Sequence, residues 1–169
     1  MLGILNKIPT PVTVLDIGPG FGKYGLLLRE WLDIRRRRYS PIEWRAVIDC
    51  VEIFPAYITG VHEHVYNDIL IGDIREVIAE LGVYDLLVMS EIIEHLPKEE
   101  GTALLKTLWK HHCKSAIVVG FPPVLGNEHI HWSNPNEEHL CIWEEADFTS
   151  IFGASATFPA AGVCHLRKE

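Results

Sequence analysis

Along the chain, apolar runs of strand length alternate with segments whose apolar positions recur every three or four residues. The β-branched run at 11–18 (PVTVLDIG) reads as a buried strand. YGLLLREWLDI at 24–34 follows it, with Leu27, Leu28, Trp31 and Leu32 at helical spacing. AVIDCVEI at 46–53, DILIGDI at 68–74, YDLLVMS at 84–90 and SAIVVGF at 115–121 predict four further strands. Between them lie a short helix between Pro55 and Gly60, about two turns of helix in REVIAEL (75–81), and a longer helix over 97–114. That longer helix opens on Pro97, carries acids in its first turn and closes on basic residues, as the helix dipole favours. After a helix at 144–153, the stretch 154–169 has room for two short strands joined at an Ala-Gly turn.

Such alternation predicts an α/β fold: a Rossmann-like, doubly wound, mostly parallel sheet with a terminal antiparallel hairpin. No repeat, low-complexity tract or linker interrupts it, so residues 1–169 are expected to form a single domain. The irregular segment from Pro122 to Glu138 is rich in Pro, Asn and His, and loops of that length in compact domains usually serve function.

Composition narrows the reading. Of 169 residues, 48% are hydrophobic and 22% charged, ordinary for a globular protein. No apolar run is long enough to cross a bilayer, and the first twelve residues do not resemble a secretory signal. Cys50, Cys113, Cys141 and Cys164 are widely spaced and form no Cys-x-x-Cys, which fits reduced thiols and a cytoplasmic location. A net charge of −8 argues against a general binder of phosphate backbones. The run Arg35–Arg38 is the local exception, either a solvated helix end or a contact for an acidic partner.

The chemistry gathers at strand ends. Gly18, Gly20, Gly22 and Gly25 follow the first strand, where glycine permits positive φ and close approach of a ligand to the backbone. In open parallel sheets, ligands bind beyond the carboxyl ends of the strands. The spacing is wrong for a dinucleotide fingerprint, because the third glycine comes one residue early. No Gly-Lys-Ser/Thr follows, so it is not a P-loop either.

Asp16-x-Gly18-x-Gly20-x-Gly22 resembles motif I of the class I S-adenosylmethionine-dependent methyltransferases. Three further stretches match in order: Glu52 at the end of the second strand, Asp73 after the third, and YDLLVMSEIIEHLP at the fourth. The resemblance covers nearly the whole chain. It implies a cofactor site of Asp16, Gly18, Pro19, Gly20, Phe21, Gly22, Glu52, Ile53, Asp73, Ile74 and Ser90. In it Glu52 accepts both ribose hydroxyls, and Asp73 with the next backbone amide addresses adenine. The cofactor has no phosphate, so the loop needs glycines rather than an anion-binding lysine. Acids at Asp16 and Glu52 suit an ammonium and a diol.

A second set stands at 90–97 (SEIIEHLP). On a helical turn, Glu91, Glu94 and His95 would share one face, and two carboxylates with an imidazole suit a divalent metal. The bland alternative is that His95 packs or acts as a base, since Pro97 disfavours helix at Leu96. His139, four residues before Trp143, is similar to the His-x-x-x-Trp segment of the metal-dependent small-RNA terminal 2′-O-methyltransferases. That resemblance implies a metal held by Glu91, Glu94, His95 and His139. His95, His131 or His139 are the candidate catalytic bases. The expected function is methyl transfer from S-adenosylmethionine to a small molecule, most simply at oxygen. The alternatives are a metal-dependent RNA 2′-O-methyltransferase and a non-catalytic cofactor-binding subunit. The expected partner is thus a small-molecule acceptor, with RNA second and no membrane.

Overall fold

A computed structural model describes residues 12–122 and 134–168. Seven strands form one sheet: β1 (Thr13–Ile17), β2 (Val47–Glu52), β3 (Asp68–Ile71), β4 (Tyr84–Ser90), β5 (Cys113–Gly120), β6 (Ala156–Ala160) and β7 (Val163–Arg167). Their order is β3-β2-β1-β4-β5-β7-β6. The first five run parallel, and β7 lies antiparallel to both β5 and β6. The predicted terminal hairpin is therefore present, with its second strand inserted next to the parallel sheet.

Alternation along the central strands explains the two helical layers. Val14, Leu86 and Val88 face one way and join α1 (Lys23–Leu32) and α2 (Gly60–Val65) through Leu28, Leu32 and Val65. Leu15, Ile17, Leu87 and Met89 face the other way. There they meet α3 (Ile74–Val77), α4 (Lys98–Thr107) and α5 (Glu145–Phe152) through Ile74, Leu104, Leu105 and Phe148. Strands buried on both faces need apolar side chains at every position, hence the continuous runs in the sequence.

The helices differ from expectation in instructive ways. In α1 the buried stripe is Gly25, Leu28, Arg29 and Leu32, not one that includes Leu27 and Trp31. Arg29 can take a core position because both terminal nitrogens of its guanidinium are satisfied, although its buried Nε has no hydrogen-bond partner. It donates to Asp33 at 2.7 Å, to the carbonyls of Ala46 at 2.9 Å and Val65 at 2.7 Å, and to Asn67 at 3.1 Å. Asp33 is wholly buried as well and accepts further bonds from the Arg38 side chain and the Arg45 amide. The Arg35–Arg38 run is thereby divided: Arg38 belongs to this internal network, and Arg35 lies over the Trp31 ring at 4.3 Å.

The helix expected between Pro55 and Gly60 is a single 3-10 turn at Pro55–Tyr57, with α2 beginning only at Gly60. REVIAEL is split into α3 and a 3-10 turn at Ile78–Glu80. The long helix after Pro97 stays α-helical only to Thr107 and then widens into a π turn at Leu108–His112.

Main-chain bonds tie the strand ends to one another. Gly18 donates to the carbonyl of Val51, Gly72 to that of Glu52, and Glu91 to that of Gly120, at 2.9, 2.9 and 3.0 Å. These ties build the rim above the carboxyl edge of the sheet. Among the described residues, no helix is long and apolar enough to cross a membrane.

Candidate active site

A cavity of about 810 Å³ opens above the carboxyl ends of β1, β2, β3 and β4. Its floor is the glycine turn after β1. Gly18, Gly20 and Gly22 have φ of 67°, 54° and 79°, which side chains tolerate poorly. A Cβ on Gly18 would run into Ile92, whereas one on Gly20 would meet nothing within 4 Å. The Gly20 backbone is thus open to approach, as a ligand lying against the loop requires. Pro19, Phe21, Ile53, Ile74 and Ser90 also line the cavity, and Phe21 is 77% exposed.

Two of the predicted carboxylates, Glu52 and Asp73, sit on the wall. Glu52 is buried, which raises its pKa above the usual range. One of its oxygens accepts the Phe54 amide at 2.8 Å. Asp73 caps α3 by accepting the Arg75 amide at 2.9 Å. The Arg75 guanidinium grips the same carboxylate, reaches across to Glu100, and holds the Asp73 carboxyl below its ordinary range.

Asp16 differs from the expectation of a direct ligand contact. It is completely buried behind the loop and does not line the cavity. Tyr66 donates its hydroxyl to one Asp16 oxygen at 2.6 Å and accepts the Gly25 amide at 3.1 Å; the other Asp16 oxygen has no hydrogen-bond partner. Burial pushes the Asp16 carboxyl up to about 7, although the Tyr66 bond pulls the other way. His62 completes this layer. Its Nε2 lies 2.9 Å from the Gly20 carbonyl, which only accepts, so Nε2 carries the proton and Nδ1 accepts from the Thr59 amide.

The fourth-strand end also departs from the simple helical turn. Ile93–His95 is a 3-10 turn, and Glu91 before it has φ of 57°. That reversal separates Glu91 from the other two: Glu91 is exposed on the cavity wall, while Glu94 is buried. The four-residue ligand set is therefore corrected to three. Glu94, His95 and His139 each offer a ligand atom, and these atoms lie within 4.8 Å of one another.

The segment around His139 crosses directly over this turn. The amides of Leu140 and Cys141 donate to the Glu94 carbonyl at 2.8 and 3.3 Å, and Trp143 Nε1 donates to the Ile93 carbonyl at 3.1 Å. His95 donates Nδ1–H to the Glu138 carbonyl at 3.0 Å, so its Nε2 is left as an acceptor. The His139 ring meets His95 edge-on at 4.9 Å, and its Nδ1 is buried without a hydrogen-bond partner. Of the three candidate bases, His95 lines the cavity, His139 stands beside it, and His131 lies outside the described residues.

Three contacts at the site carry no signal in the sequence. Tyr24 and Ser90 share a hydrogen bond at 2.8 Å. Tyr57 donates to Glu137 at 2.8 Å, joining the turn after β2 to the segment after β5, and the Asn134 amide supports the same carboxylate at 3.2 Å. The bonds of Tyr24 and Tyr57 join residues 66 and 80 positions apart, so no local pattern announces them.

No family model matches the chain, and no curated protein matches it in sequence. Solved structures do match in fold. The magnesium protoporphyrin IX methyltransferase from Synechocystis PCC 6803, solved with bound SAM, aligns with a TM-score of 0.60 at 16% identity, over 92% of this chain and 69% of that one. A putative O-methyltransferase from Nostoc punctiforme PCC 73102 aligns with a TM-score of 0.67 at 17% identity over 98% of this chain. This chain spans only 54% of that protein. The N-terminal domain of EvdMO1, solved in the presence of SAH and D-fucose, gives 0.59 at 17% identity, over 98% of this chain and 78% of that one. The chain therefore has the Rossmann-like fold of the class I methyltransferases.

Proposed function

We propose that the protein is an S-adenosylmethionine-dependent methyltransferase that methylates a hydroxyl group of a small-molecule acceptor. The observation that carries this reading is the single cavity wall shared by the open Gly20 backbone, Glu52, Asp73 and His95. The glycine turn takes the methionyl part, Glu52 accepts the ribose hydroxyls, and the strand-end residues Asp73 and Ile74 flank the adenine. The Phe54 amide holds the Glu52 carboxylate, so that acceptor is organised before a ligand arrives.

His95 supplies the base. Its Nδ1–H is committed to the Glu138 carbonyl, which fixes the ring and leaves the Nε2 lone pair for the acceptor hydroxyl. The acceptor oxygen attacks the methyl carbon in line, the carbon–sulfur bond breaks toward sulfur, and the hydroxyl proton passes to Nε2. Glu52, Glu91, Glu137 and Glu138 line the same cavity against one cation without an ion pair among the described residues, Lys23, and Arg75 is committed to Asp73 and Glu100. Such a wall favours a neutral or cationic acceptor over a phosphorylated one.

A metal-assisted form of this reading is favoured by one observation, the buried and unpartnered Nδ1 of His139 beside Glu94 and His95. Those three residues would hold a divalent ion of the Mg²⁺, Mn²⁺ or Zn²⁺ kind, because the set has nitrogen and oxygen donors and no thiolate. Bound there, the ion would act as a Lewis acid on the acceptor oxygen.

Calorimetric titration with S-adenosylhomocysteine tests the cofactor assignment. The wild type should bind, and Glu52→Ala should bind at least about tenfold more weakly, since each bond to a charged acceptor contributes roughly 1.5–3 kcal/mol. Absence of binding by the folded wild type would sink the reading. Equal binding by Glu52→Ala would remove Glu52 from it. Titrating Mn²⁺ into wild type and His139→Ala tests the metal, and indistinguishable isotherms would refute that form.

A further inference from the structure

The opposite edge of the sheet carries a second concavity that the reading above does not use. α4 ends there, followed by the π turn, and α5 and β7 end beside it. Lys106, Trp109, Lys110, Ile151, Phe152 and Lys168 line a shallow, open depression. Lys168 bonds the carbonyl of Cys113, the first residue of β5, so the depression lies at the other end of that strand from the cavity.

Its composition runs against the rest of the molecule. The chain has a net charge of −8, yet among the described residues the only charged ones lining this depression are three lysines. Lys106 and Lys110 are exposed and form no ion pair among the described residues. Lys168 is anchored: it donates to the Cys113 carbonyl at 2.6 Å, and its ammonium lies 5.1 Å from the centre of the Trp109 ring. Trp109 meets Phe152 edge-on at 5.7 Å, so the floor is an aromatic pair rather than a smooth aliphatic surface. The π turn at Leu108–His112 brings Trp109 and Lys110 to this floor, and such turns are rare and frequent at functional sites. Three ammonium groups held around a partly open aromatic face call for a ligand that is both planar and anionic.

We infer that the concavity formed by Lys106, Trp109, Lys110, Ile151, Phe152 and Lys168 is a binding site for a nucleoside phosphate, free or as one unit of a strand. The base stacks on one ring of the edge-on Trp109–Phe152 pair, a contact open to any base because every base has a π face. The phosphate lies among the lysines, which form no ion pair among the described residues. An acidic peptide would satisfy the lysines but would leave the aromatic floor without a planar partner. The global charge excludes a broad phosphate-binding surface, not a local one of this size.

Fluorescence of Trp109 reads the site directly. The protein holds five tryptophans, so Trp109→Phe serves as the blank. Titration of the full chain with AMP and with a short single-stranded oligoadenylate should quench the wild type and leave Trp109→Phe unchanged. The double variant Lys106→Glu, Lys110→Glu should bind at least about tenfold more weakly, because both substitutions replace an attraction by a repulsion. Equal affinity for AMP and the oligomer identifies a free nucleotide as the source, and clearly tighter binding of the oligomer identifies a strand. No quenching by either at millimolar concentration overturns the proposal, as does unchanged affinity in the charge-reversed variant. Quenching by an acidic peptide but by neither nucleotide overturns it in favour of a protein partner. None of these outcomes depends on S-adenosylhomocysteine binding at the glycine turn.

Discussion

Asp16→Asn should make the protein less stable in acid and shift the balance in the variant's favour as pH rises toward alkaline values. The carboxyl of Asp16 is completely buried and is pushed up to about 7, against about 3.9 in an unfolded chain. Between those two values the folded state holds a proton that the unfolded state has lost. Stability therefore falls as pH rises from about 4 to about 7, and it levels off above that. At about 1.4 kcal/mol per pKa unit, the whole shift amounts to about 4 kcal/mol, of which about 2 kcal/mol falls between pH 5 and 7. Asparagine cannot ionise, yet its oxygen still accepts the Tyr66 hydroxyl, so the variant lacks this part of the pH dependence. Its amide nitrogen takes the place of the unpartnered oxygen and adds a cost of about 1–3 kcal/mol that does not vary with pH. Urea unfolding of both proteins at pH 5 and pH 8 measures the difference, and groups common to both cancel in it. The stability gap should move in favour of the variant by about 2–3 kcal/mol between the two pH values. Parallel pH profiles would show that Asp16 does not carry its proton into the neutral range, and the argument from burial would fail.

Gly18→Ala and Gly20→Ala should each cost about 1–2 kcal/mol for positive φ. Gly18→Ala should cost more because of its approach to Ile92, and the denaturant midpoint of a Gly18→Ala, Ile92→Ala double variant should lose that excess. Asp33→Ala leaves the buried Arg29 guanidinium without its counter-charge and should destabilise by about 3–5 kcal/mol in urea unfolding. A loss below about 1 kcal/mol there would mean that the carbonyls of Ala46 and Val65 suffice for Arg29.

The fold was legible because its signals are local. Apolar runs mark the parallel strands, and the Ala-Gly turn marks the hairpin. The glycine turn, Glu52 and Asp73 were legible for the same reason, since each stands at the end of a readable strand. What was not legible depends on partners far along the chain. Arg29 reads as a surface residue until Asp33, Ala46, Val65 and Asn67 are brought around it. Asp16 reads as a ligand for an ammonium, but Tyr66 closes it off from behind, 50 positions away. The spacing of Glu91, Glu94 and His95 suggested one shared face, and the left-handed backbone at Glu91 breaks it. Lys168 joins Lys106 and Lys110 only because β7 is inserted antiparallel beside β5.

The ties around the rim run from amide to carbonyl: Gly18 to Val51, Gly72 to Glu52 and Glu91 to Gly120 between strand ends, and Leu140 to Glu94 above them. None of these bonds consults a side chain. The outline of the cavity can thus be inherited intact while the residues that frame it drift, provided glycine is kept where φ demands it. That is a physical route by which a chain only 16 or 17% identical to solved methyltransferases keeps their architecture. For engineering it separates two tasks: side chains on the rim can be exchanged to change what enters, and the frame that receives them need not be redesigned.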